Sequence, residues 1–136
     1  MAVTITASYN GQLQCKAVHG PSNDTLVTDA PVDNHGRGEH FSPTDLLATS
    51  LLTCMITTMG IAAQTRNLDM GEVTGTVEKH MGLQPRRHVE KLVVRIQVKK
   101  KHTDKDREIL ERAANLCPVH ASLAETTQVD LKITFP

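Results

Sequence analysis

Aromatic side chains are nearly missing from this sequence. Tyr9, Phe41 and Phe135 are the only three, and there is no tryptophan. A chain of 136 residues has room for one ordinary domain, residues 1–136, and a domain of that size buries roughly two-thirds of the surface its unfolded form exposes. Without large rings the interior has to be filled by Leu, Val, Ile, Met and Ala, and a second copy of the chain is expected to complete part of it. Net charge is missing too: 15 Lys and Arg balance 15 Asp and Glu. That balance removes any whole-chain case for binding nucleic acid or an anionic membrane. Cysteine is sparse and odd in number. Cys15, Cys54 and Cys117 form no close pair, so neither a disulfide framework nor a CxxC site for zinc or thioredoxin-type exchange is present. The opening residues lack the basic and apolar regions of a secretory signal, and a reducing, cytoplasmic setting is expected.

What is present reads as an α+β chain. Val3, Ile5, Ala7 and Tyr9 alternate with polar residues, and Asn10-Gly11 is a strong hairpin signal before a return run through Leu13, Cys15 and Ala17. Thr25 to Asp29 fits a third strand, and Ala30 to Phe41 is loop-like. Ser42-Pro43-Thr44-Asp45 reads as a helix start: Ser42 caps, Pro43 takes the first helical position, and Asp45 reaches back to the cap amide. This helix is expected to run to Gln64–Asn67. Strands follow at Gly71–Lys79 and Val89–Lys99 around a turn at Met81–Pro85, the second with Leu92, Val94, Ile96 and Val98 inward. A helix opens at Thr103, and Cys117-Pro118 caps a short third one through Glu125. Val129, Leu131, Ile133 and Phe135 alternate in a last strand. The order is β3-α-β2-α-α-β, counting three strands, a helix, two strands, two helices and a strand.

The first helix contains 18 uncharged residues, Leu46 to Ala63, of which twelve are apolar. That is the lower limit for a membrane span. Six Thr, Ser and Gly residues interrupt the stretch, no aromatic belt flanks it, and amphipathic strands lie on both sides. The expectation is a long central helix buried in protein, again with help from a partner subunit.

Two cysteines stand out. Cys54 lies midway along that helix. Cys117 is at a helix N-cap, where free amides and the positive dipole end favour thiolate. A nucleophilic thiol with a second thiol in reach can pass from thiolate to sulfenic acid to disulfide and back. However, 62 residues separate the two, and sequence alone does not show that they meet.

With these motifs the chain resembles the OsmC/Ohr family of organic hydroperoxide reductases and osmotically induced proteins, nearest its broad OsmC-like branch. The resemblance is carried by Thr28-Asp29-Ala30-Pro31, Gly36-Arg37-Gly38, Ser42-Pro43-Thr44-Asp45-Leu46-Leu47, Cys54 and Cys117-Pro118-Val119-His120-Ala121-Ser122-Leu123. It implies an intertwined homodimer with paired sites at the subunit interface. It also implies a thiol peroxidase of the oxidative stress response, acting on small organic hydroperoxides. Cys54 would be the peroxidatic residue and Cys117 the resolving one, with an external dithiol reductant and no bound cofactor or metal. Leu51, Met55 and Met59 are candidates to line the substrate pocket.

The chain departs from the family pattern at one point. Peroxidase members hold an activating Arg with a Glu in the first turn of the central helix. Here Thr44 stands at the Glu position with Asp45 beside it, and the first 36 residues contain no Arg. Arg37 is the nearest candidate cation, with Asp45 as its support and Lys16 as a weaker alternative. The alternative function is therefore a non-catalytic dimeric protein that binds a small apolar molecule. Between Gln84 and Arg107, nine Lys or Arg against three acids could face nucleic acid, but without interleaved aromatics there is no stacking platform. The seven histidines show no zinc-site spacing. His120 is placed either to hydrogen-bond near Cys117 or to cap a turn.

Overall fold

The computed structural model describes residues 1–136 as two compact units, Met1–Leu47 and Ala48–Pro136. The first unit is built on an antiparallel sheet of β1 (Ile5–Gly11), β2 (Gln14–His19) and β3 (Thr25–Asp29), in that order. Its first hairpin turns later than the Asn10-Gly11 signal implies. Gln12 and Leu13 occupy the tip with φ of 55° and 63°, while Gly11, at φ 84°, sits in an irregularity between the Tyr9↔Cys15 and Gly11↔Gln14 pairs. The glycine thus serves a bulge, where positive φ costs it nothing, and the turn falls to its two successors.

Beyond β3 the loop is tied to a buried carboxylate. Asp29 is fully enclosed; its Oδ2 accepts the Glu39 amide at 3.0 Å, and its own amide donates to the Phe41 carbonyl at 3.1 Å. Gly36 lies so close to Ala30 that a Cβ would overlap the Ala30 carbonyl. The helix α1 (Pro43–Thr65) then begins as the sequence predicts. Ser42 Oγ accepts the Asp45 amide at 3.0 Å, and Asp45 Oδ2 accepts the Ser42 amide at 2.9 Å. This is a reciprocal capping box with Asp in the place of Glu. The other end closes with Asn67 in the left-handed region (φ 53°). The Leu68 amide reaches the Ala63 carbonyl at 2.8 Å and the Asn67 amide reaches Gln64 at 3.1 Å, which together make a Schellman motif.

The second unit contains the sheet β4 (Val73–Gly82), β5 (His88–Val98) and β6 (Gln128–Thr134), with β5 in the middle. β4 and β5 are antiparallel, whereas β5 and β6 are parallel. A parallel neighbour needs a crossover, and α2 (Asp104–Asn115) with α3 (Pro118–Ser122) provides it. The alternation read from β5 holds: Leu92, Val94, Ile96 and Val98 are each at most 1% exposed, and each such burial is worth about 1.5–3 kcal/mol. Opposite them in register stand Val129, Leu131 and Ile133 of β6. Two expected boundaries move. β4 continues through Met81 and Gly82, which pair with Val89 and His88, so the connection falls at residues 83–87. α3 stops at Ser122, because Leu123 is already extended (φ −77°, ψ 148°).

The helix α1 packs over β4 where a side chain is missing. Gly75 pairs with Ile96, and a Cβ on Gly75 would come within 2.8 Å of Leu52 Cδ1 and 3.3 Å of Ile56 Cδ1. The chain covers one stripe of the helix: Ala48, Leu51, Met55, Met59 and Ala63. Within one chain 28% of its most apolar 18-residue stretch is buried, and by length and composition alone this helix could cross a membrane; the expected burial on all sides rests on a partner subunit. Ile61 is exposed, and so is β1 over nearly its whole length.

Candidate thiol site

Cys54 and Cys117 both belong to the second unit. Cys54 is half-buried on α1, immediately beside the covered stripe. Thr58 one turn later donates back to the Cys54 carbonyl at 3.1 Å and to Met55 at 2.9 Å. Cys117 is the N-cap of α3, one residue after Leu116, the C-cap of α2. Its extended backbone (φ −65°, ψ 140°) and the proline after it end one helix and begin the next. Its sulfur is completely enclosed and accepts the His120 amide at 3.3 Å.

The two thiols are neighbours. They stand near enough that the charge each can carry affects the other. Burial pushes the Cys117 thiol above its ordinary value. The His120 amide pulls the other way, the nearby Cys54 adds to the rise, and the Val119 amide opposes it weakly. The N-cap amides anticipated from sequence are present but are outweighed by loss of solvent. Cys117 is therefore a thiol that burial holds protonated. Its reluctance to ionise makes it a poor first nucleophile.

The other candidates are distributed as follows. Leu51, Met55 and Met59 are fully buried members of the core stripe. Arg37 stands in the first unit's loop, half exposed and 4.0 Å from Glu39 Oε1. Asp45 is engaged in the helix cap. Cys15 is half-buried on β2, paired across the sheet with Tyr9 and Thr28. The side chain of His120 adds a detail the sequence did not reveal: the backbone amide touches the sulfur, while ring Nδ1 is buried without a partner. No three His, Cys, Asp or Glu side chains come together as a metal-binding group. The basic stretch is dispersed. Arg95 pairs with Asp130 at 3.1 Å, Lys100 with Asp69 at 3.0 Å, and Arg107 lies over the Phe135 ring.

Comparison with known proteins agrees with the fold. Residues 36–132 match the family described as OsmC-like protein. A Psychrobacter arcticus structure named for an osmotic stress induced and detoxification response is 40% identical, with a TM-score of 0.91 over 98% of this chain and 97% of that one. Two more distant structures bear on the fold alone. One is a Legionella pneumophila organic hydroperoxide resistance protein, 15% identical, with a TM-score of 0.79 over 98% of this chain and 97% of that one. The other is the organic hydroperoxide resistance protein OhrB of Bacillus subtilis, 16% identical, with a TM-score of 0.71 over 98% of each chain. No curated protein matches the chain by sequence.

Proposed function

This chain belongs to the OsmC-like protein family, and we propose that it reduces small organic hydroperoxides with the Cys54–Cys117 pair. The observation that carries this reading is the meeting of two thiols of unequal character, one half-buried and the other enclosed and held protonated. The Cys54 thiolate attacks the distal peroxide oxygen. The S–O bond forms, the O–O bond breaks, and the alkoxide leaves as alcohol after taking a proton. Sulfur is oxidised by two electrons to sulfenic acid. Cys117 sulfur then attacks Cys54 sulfur; the S–S bond forms and hydroxide departs as water with the Cys117 proton. An external dithiol reopens the disulfide by exchange.

Two copies of the chain are part of the proposal. The single covered stripe of α1 and the open strand β1 leave apolar surface, including Val3, Ile5 and Ile61, that a second copy would cover.

Rapid mixing of the reduced protein with cumene hydroperoxide, followed by thiol counting and intact mass, tests the reading. Loss of two thiols per chain with a Cys54–Cys117 disulfide is expected. Cys54→Ser abolishes peroxide consumption, and Cys117→Ser is oxidised once without turnover. Turnover in Cys54→Ser, or an inert Cys54 in the wild type, overturns the proposal. The inert outcome would favour the binding-protein alternative.

A further inference from the structure

A groove of about 430 Å³ runs between the last turns of α1 and the length of α2, entirely within the second unit. Its floor is apolar: Ile109, Ala113 and Leu116 on one wall face Ala62 on the other. Leu116 is 72% exposed. Arg66, Lys105 and Arg112 stand around this floor. None of the three makes an ion pair within 4.0 Å, even though Glu108 lies three residues from Lys105 and four from Arg112. Spacing of that kind on a helix ordinarily pairs such charges.

We propose that this groove binds a linear aliphatic carboxylate. Three unpaired cations against one acid set the sign of the ligand. The floor sets its shape, because a compact anion such as phosphate would leave Ile109 and Leu116 in water, whereas an alkyl chain covers them. Lys105 lies in the first turn of α2, the helix end that also favours negative charge. The headgroup is placed at Lys105, and the tail runs past Ile109 and Ala113 toward Leu116. The volume falls within the range of small-molecule sites. The groove uses neither cysteine, so it is a second site, independent of the thiol chemistry.

Titration calorimetry of the reduced protein with sub-micellar sodium decanoate tests it, with decanol as the uncharged control. One decanoate per chain is expected, bound at least about tenfold more tightly than decanol, as charge-assisted hydrogen bonds require. Lys105→Ala/Arg112→Ala should lose at least about tenfold in affinity, Ala113→Glu should abolish binding, and Glu108→Gln should strengthen it, all with thermal unfolding unchanged. Equal affinity for decanoate and decanol overturns the proposal, as does decanoate binding that ignores the double variant. A double variant that changes the sedimentation coefficient overturns it as well, because the groove would then be a contact between copies of the chain.

Discussion

Cys54 and Cys117 stand side by side across the gap between α1 and the start of α3, and only Cys117 is completely shut away from solvent. Alkylation should follow that asymmetry. With iodoacetamide at neutral pH, Cys117 should be the slowest of the three cysteines, and peptide mapping over time gives the order. In Cys54→Ser its rate should rise above pH 8, because the neighbour that helps hold it protonated is gone.

The same raised thiol has a consequence for stability. The folded state keeps the Cys117 proton at pH values where the unfolded chain has released it. Its contribution is therefore complete below the ordinary thiol value of 9.0 and falls as pH rises through the higher folded value. Urea midpoints of the reduced protein should decline above pH 9, and Cys117→Ala should flatten that decline whatever it does to the absolute midpoint.

Ser42→Ala should cost about 1 kcal/mol, the usual loss on removing an N-cap hydroxyl. Equilibrium urea unfolding measures it. Ser42→Thr retains the hydroxyl acceptor and should recover most of the difference.

Gly75→Val should destabilise the second unit by about 1–3 kcal/mol, the range for overpacking a filled core. The new side chain meets Leu52 and Ile56 on one side and the Arg95 carbonyl at 3.2 Å on the other. Pairing it with Leu52→Ala should restore part of the loss, and a double-mutant cycle reads the coupling.

Gly36→Ala should rearrange the loop between Ala30 and Phe41, since backbone stands where the methyl would go. Amide exchange at Glu39, whose N–H is held by Asp29, should accelerate.

What the sequence revealed depended on how local the cause was. The capping box is four adjacent residues, and its two hydrogen bonds formed as read. The β5 alternation is a pattern of one strand, and its inward residues are the core. Asn10-Gly11 misled because a glycine with positive φ serves a bulge as well as a turn. The end of β4 was hidden because Met81-Gly82 looks like a turn until His88 and Val89 pair with it. The meeting of Cys54 and Cys117 was implied only by the family resemblance, not by the residues themselves: it depends on the sheet, the crossover and α1 all being in place. So did the charge state of Cys117, for local amides argued one way and burial, a tertiary property, decided the other.

The parallel placement of β6 beside β5 bears on the order of events during synthesis. β4 and β5 can zip together as soon as both leave the ribosome, but the far edge of β5 stays open until α2, α3 and finally β6 have been made. Such a distant pairing is slow to form. Through that interval the link that carries Cys117 has no fixed position, and its thiol is as open to small oxidants as any in an unfolded chain. The sulfur that is best protected in the finished molecule is thus among the last to gain its protection.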